Sequence, residues 1–248
     1  MRILLKLRSL ETQKYDMGYH HKLQSFIYKM LMTQGLTQIH DKKGYKFFCF
    51  SNIFPSNNMH RGDLKSLIIS SPNEKIIRAF ERQAQQIRSD QSSIMIGNMT
   101  FILDRFEVFS LNLPDDNVRM ITGTPIIIRI PRERYLKYGI NPEIPYNYIF
   151  WRKEHPIEMF IEQIEENLKK KYEEFTTKPV VEETILSKIK FRKQISNKIP
   201  LKGDIQTIIG TLWEFDFHKK ENMDLLQFSL DAGFGERNSL GFGFMNLQ

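Results

Sequence analysis

Four glycines fall within the eleven residues from Gly233 to Gly243, in the C-terminal segment GFGERNSLGFGFMNLQ. Glycine this dense calls for backbone at positive φ, or for backbone approached closely by something else. Phe234 and Phe242 stand among the glycines, with one cation, Arg237. The segment does not fit a dinucleotide-binding or Walker loop. Too little chain lies beyond it for the required helix, and no Gly-Lys-Ser/Thr follows. Two readings stay open. Backbone N–H groups and Arg237 suit a phosphate chain, with the phenylalanines as anchors; alternatively the segment is a tight hairpin that binds nothing.

Hydrophobic periodicity sets the rest of the framework. Ile3, Leu5 and Leu7 alternate with Arg2, Lys6 and Arg8, giving a strand with one apolar and one basic face. Leu23, Phe26, Ile27, Met30 and Leu31 predict an amphipathic helix over His20–Met32. Strands are expected at Lys46–Ser51, Leu64–Ser70 and Thr100–Leu111, with a helix opened by Pro72 and running to about Arg88. The order is βαββαβ, the ferredoxin-like pattern. LNLPDDN (111–117) reads as a domain boundary in which Asp115 and Asp116 make a turn. The pattern then repeats. A strand over Val118–Ile130 is broken at Gly123–Pro125, and a long charged helix covers Glu154–Phe175. Strands follow at Ile185–Ile195 and Ile205–Phe217, then a helix at Asn222–Ala232 and a last strand in FGFMNL. The fold class is α+β, two tandem ferredoxin-like domains over 1–115 and 118–248, the second with a Tyr- and Pro-rich insertion at 132–152.

Composition excludes several classes. With 41% hydrophobic and 12% aromatic residues in 248, the chain builds packed cores. No run approaches the ~20 apolar residues of a membrane span, and MRILLKLRSL is too short and too charged for a secretory signal. The single Cys49, among aromatics in FFCF, excludes an internal disulfide and a Cys-rich zinc site. No metal-site motif is present and no cofactor is expected. These features point to a cytoplasmic protein without membrane contact. The net charge is +7, with 17 Lys and Arg against 11 Asp and Glu in residues 1–120; seven glutamates gather in 154–174. A basic protein with its acids gathered on one helix suggests a polyanionic partner. In SKIKFRK (187–193), Lys188, Lys190 and Arg192 face one side of a strand and Ile189 and Phe191 the other, with Lys193 next in line. Such a face suits a nucleic-acid backbone or is simply solvated.

GFGERNSLGFG resembles the C-terminal glycine-rich loop of the CRISPR repeat-processing endoribonucleases, within the RAMP superfamily. RILLKLRSL, FIYKMLM, HDKKGYKFFCFS, MITGTPIIIRI and ILSKIKFRKQI follow in the family's order and span nearly the whole chain. The resemblance implies two tandem ferredoxin-like domains and cleavage of precursor CRISPR RNA within its repeats. RNA carries its own nucleophile, the 2′-OH, so one base, one acid and one cation suffice without metal. The family's tyrosine, histidine and lysine fall on Tyr28 in FIYKML, His40 in QIHDKKG and Lys46 in GYKFF.

His40 titrates near neutrality and suits the general acid; by itself it also reads as a solvated loop histidine, with His20 and His21 as rivals. His60, His155 and His218 have no supporting context. Tyr28 lies off the apolar face of its helix, so the core does not need it and an exposed role is expected. As a base it would need its pKa of ~10 lowered; Tyr45, beside Lys46, is the alternative. Lys46, at the mouth of a strand, would place a charge on phosphate. For RNA binding the resemblance implies Lys188, Lys190, Arg192 and Lys193 together with Gly233, Gly235, Arg237, Asn238, Gly241 and Gly243, with Ser239 as a further polar contact. The expected partner is CRISPR repeat RNA. A homodimer and association with a CRISPR interference complex stay open. The other readings are a non-catalytic RNA-binding RAMP subunit of such a complex, or a ferredoxin-like protein binding a small phosphate ligand.

Overall fold

The computed structural model describes residues 1–41, 43–114, 117–143, 146–180, 186, 188–201, 204–217 and 223–248. The side chains of residues 40, 197–201 and 204–206 are excepted. Asp115, Asp116, Ile185, Ser187, His218, Asn222 and the side chain of His40 thus lie outside the described residues. Two compact units result, Met1–Leu111 with Asn238–Gly241, and Asn112–Arg237 with Phe242–Gln248. No helix among the described residues is long and apolar enough to cross a membrane.

The first unit runs β1 (Arg2–Ser9), α1 (His20–Met32), α2 (Gln38–Asp41), β2 (Cys49–Phe50), β3 (Leu64–Ser70), α3 (Glu74–Ser89), β4 (Ser93–Ile96) and β5 (Met99–Phe109). Its sheet has the order β2-β3-β1-β5-β4. β1 is central and antiparallel to both β3 and β5. Without β4, which only forms a hairpin with β5, this is the ferredoxin-like βαββαβ arrangement. The alternation in β1 works as expected: Ile3, Leu5 and Leu7 are buried in the core. On the other face Lys6 donates to Ser66 Oγ at 2.7 Å and Arg8 pairs with Asp104. Two boundaries differ from expectation. The strand predicted over Lys46–Ser51 shrinks to Cys49–Phe50, because Phe47 adopts φ 55 and breaks the extended path. Helix α3 is capped by Asn73, whose side chain accepts from Lys75 N, so Pro72 precedes the cap and is not itself helical.

The second unit runs β6 (Val118–Thr122), β7 (Arg129–Pro131), α4 (Arg132–Lys137), β8 (Tyr148–Phe150), α5 (Ile157–Thr176), β9 (Lys188–Leu201), β10 (Asp204–Phe217), α6 (Met223–Ala232) and β11 (Met245–Leu247). Its main sheet has the order β11-β6-β10-β9. That is again the ferredoxin-like order, with β7, α4 and β8 inserted between the first strand and the first helix. Trp213 centres this core, stacked on Phe160 at 4.2 Å and met edge-on by Phe191 at 5.3 Å. Helix α5 begins only at Ile157 because Pro156 has extended backbone at its N-cap. The closing strand is limited to Met245–Leu247.

Candidate functional site

In the first unit, Lys46 lies in the irregular stretch before β2. Its Nζ donates to Ile39 O at 2.7 Å. Ile39 and His40 are consecutive residues of α2. The lysine that the sequence associates with phosphate is therefore fastened to the turn that carries the histidine. A cation near the carbonyl end of so short a helix is also favourably placed for the peptide dipoles.

Tyr28 corrects an expectation. It is buried, 8% exposed, and belongs to the core together with Ile27 and Leu31. Phe48 meets its ring edge-on at 5.8 Å, and its hydroxyl hydrogen-bonds with Ser239 and Gln24. Helical spacing misses this because the covering groups come from outside α1. Burial pushes the phenol above its ordinary pKa, against the lowering effect of the Ser239 and Gln24 hydrogen bonds. At neutral pH Tyr28 is protonated. Its hydrogen bond to Ser239 fastens it to the 3-10 turn Asn238–Leu240. In the same turn Gly241 sits at φ +88, and a Cβ there would lie 2.6 Å from Phe50 Cε2. Only glycine packs against Phe50 in that conformation.

Of the rival histidines, His21 is exposed. His20 is half-buried, stacked on Tyr19 at 4.5 Å, with Nε2 3.1 Å from Asn52 Oδ1. Burial lowers its pKa, against the raising effect of Asn52, which favours the neutral ring.

In the second unit the glycines have a different use from the one expected. Gly233, Gly235 and Gly243 are buried and at positive φ. The N–H groups of Gly233, Phe234, Glu236 and Gly243 donate to the carbonyls of Ser229, Gly243, Ile127 and Pro125 at 2.9 Å. These N–H groups are committed within the fold, which corrects the reading of the segment as a backbone cradle for phosphate. A Cβ on Gly235 would fall 2.6 Å from Ile127 O, so close packing accounts for this residue. The carbonyls of Gly233 and Gly235 both accept from the buried Lys171 ammonium of α5. Phe234, Phe242 and Phe244 are buried. The polar chemistry of the segment falls to the half-buried Arg237, held at φ 58, and in the first unit to the half-buried Asn238 and Ser239.

On β9, Lys188, Lys190, Arg192 and Lys193 are all exposed. The basic face carries acids that the sequence reading overlooked. Glu214 of β10, directly opposite Lys190, accepts from Arg192 Nη1 at 2.7 Å and lies 3.4 Å from Lys190 Nζ. Asp216, opposite Lys188, lies 3.5 Å from Arg119 Nε. Part of the signal was present as the alternation W-E-F-D-F, which puts two carboxylates on one face of β10; the register makes it the face of the cations. Arg192 and Lys190 thus share Glu214, and Arg119 pairs with Asp216.

The family model described as CRISPR associated protein Cas6, C-terminal, matches residues 111–247. The CRISPR-associated endoribonuclease Cas6 2 of Methanocaldococcus jannaschii is 29% identical, with 99% of each chain covered. The CRISPR-associated endoribonuclease Cas6 of Haloferax mediterranei is 28% identical over all of this chain and 93% of its own. Among solved structures, one described as an RAMP protein binding different RNA substrates shares the fold at a TM-score of 0.77 and 22% identity. It covers 100% of this chain and 99% of that one.

Proposed function

The chain belongs to the CRISPR-associated Cas6 family, and from that premise we propose that it is an endoribonuclease that cuts precursor CRISPR RNA within each repeat. The 2′-OH gives its proton to solvent and attacks the adjacent phosphorus as the bond to the 5′-oxygen breaks. The products are a 2′,3′-cyclic phosphate and a 5′-hydroxyl. His40 donates the proton to the leaving 5′-oxygen. Lys46 stabilises the charge that develops on the phosphoryl oxygens. Tyr28, a protonated phenol, positions the Asn238–Leu240 turn through Ser239. The cations of β9 and Arg237 bind the RNA backbone. The protein works in the cytoplasm, a reducing compartment in which the buried Cys49 remains a thiol.

The observation that supports this reading most directly in the chain itself is the bond from Lys46 to the carbonyl preceding His40. It ties a phosphate-stabilising cation to the turn of a proton donor. The test is cleavage of end-labelled cognate repeat RNA in EDTA, beside the same RNA with one 2′-deoxy at the scissile nucleotide. The ribose substrate should be cut and the deoxy substrate left whole, and His40→Ala should abolish cutting while binding persists. If the wild type binds both RNAs and cuts neither, the chain is a binding subunit. Near wild-type cutting by His40→Ala removes the acid assignment.

A further inference from the structure

The inserted segment between β6 and α5 forms an open recess of about 680 Å³, within the second unit. That is the size range of pockets that take a small organic ligand, roughly 300–1,000 Å³. Its lining is unusual for a merely structural hollow: Tyr146, Tyr148 and Phe150, with Arg152 and His155. Tyr146 is 52% exposed, a large aromatic surface left in water. The rings of Tyr148 and Phe150 meet edge-on at 5.7 Å. His155 Nδ1 accepts from Arg152 N at 3.2 Å. Burial, then Arg152, hold the pKa of His155 below its ordinary value, so its ring is neutral.

Tyr148 links this recess to the glycine-rich segment. The Arg129 guanidinium lies over its ring, 4.9 Å from the centroid, and the Arg237 guanidinium donates to its hydroxyl. Glu236 is engaged by Arg129 through both its backbone N–H and its side chain. Among the described residues, the buried Nη1 of Arg237 has no hydrogen-bond partner. A buried guanidinium N–H without an acceptor is costly, and an anion arriving at the site relieves that cost. Two arginines held at one tyrosine, beside a wall of aromatic rings, fit the two halves of a nucleotide. A π-face stacks the base and a guanidinium fork takes the phosphate.

We propose that this recess holds one unpaired nucleotide of the repeat RNA, its base stacked on Tyr146 against the Tyr148–Phe150 wall and an adjoining phosphate on Arg237. The inference rests on the repeat-RNA reading given above and adds a base-binding position to it. Stacking tolerates any base, so the site selects for an unpaired nucleotide at a fixed place and not for a base identity.

The test uses the full chain and repeat RNAs blocked by one 2′-deoxy at the scissile nucleotide, each carrying a single 2-aminopurine. One position should be quenched on binding to the wild type and not on binding to Tyr146→Ala. Tyr146→Ala should bind roughly 5- to 100-fold more weakly. An abasic nucleotide at the same position should weaken wild-type binding equally and weaken Tyr146→Ala no further, and Tyr146→Phe should restore both signals. If Tyr146→Ala binds as the wild type does with the same quenching pattern, the recess holds no nucleotide and the proposal falls. A loss of affinity that adds fully to the abasic loss at every position also overturns it, since that marks a structural effect. Failure of the wild type to bind repeat RNA at all would sink the function itself as well as the recess.

Discussion

Glu214→Gln should make this protein bind RNA more tightly. The Glu214 carboxylate accepts from Arg192 at 2.7 Å and lies 3.4 Å from Lys190. Both cations are exposed, so each interaction is worth about 0.2–1 kcal/mol, the usual range for surface ion pairs. A phosphate recruiting the two cations displaces both interactions and meets the repulsion of the carboxylate. Taking about 1 kcal/mol for the sum, the neutral and nearly isosteric glutamine should raise affinity about fivefold at 50 mM salt. Salt dependence gives a second reading. If Lys188, Lys190, Arg192 and Lys193 of β9 each neutralise one phosphate of a single strand, the slope of log K against log salt is about −2.8; one net charge fewer gives about −2.1. The variant should approach the first value and the wild type the second. The advantage then shrinks about 2.6-fold between 50 and 200 mM, leaving about twofold. Anisotropy titrations of cleavage-blocked repeat RNA at 50, 100 and 200 mM would measure both quantities. Equal or weaker binding at 50 mM by a folded variant would refute the reasoning. It would mean that Glu214 presents the cations to RNA instead of competing for them.

Two further outcomes follow from buried groups. Burial raises the Tyr28 pKa above its ordinary value; acting as a protonated positioning group the phenol supplies no ascending limb between pH 6 and 9, whereas as a base it would make the rate climb through that whole range. Tyr28→Phe should lower the cleavage rate by a constant factor across that range without changing the profile's shape; loss of an ascending limb would make Tyr28 the base after all. Lys171→Met removes the ammonium from the carbonyls of Gly233 and Gly235. It should cost about 2–3 kcal/mol through the buried acceptors left behind, lowering Tm by roughly 4–12 °C; an unchanged melting curve would show that the loop does not depend on this contact.

Much of the fold was legible in the order of residues. Alternation at Ile3, Leu5 and Leu7, the helical spacing from Leu23 to Leu31 and the repeat of the βαββαβ order are local signals, and the local period decides them. So is the basic side of β9, since a strand sends every second side chain to one face. Positive φ at Gly233, Gly235, Gly241 and Gly243 is what glycine density anticipates. The strand at Lys46 was overextended because no pattern announces a left-handed Phe47.

Tertiary structure alone decided what those elements do to one another. Tyr28 is off the apolar face of α1 by spacing, yet buried, because Phe48 and Ser239 cover it from other parts of the chain. The N–H groups of Gly233, Phe234, Glu236 and Gly243 look available in sequence and are consumed by Ser229, Gly243, Ile127 and Pro125. Glu214 reads as one acid in a hydrophobic strand until antiparallel register sets it opposite Lys190. Tyr146, Tyr148, Arg152 and His155 read as insertion filler until β7 and β8 pair and the recess forms around them. Side-chain period belongs to each segment, so the sequence by itself fixes which faces exist. Burial, pairing and register belong to residues distant along the chain, so only the folded arrangement decides which of those faces remain free for RNA.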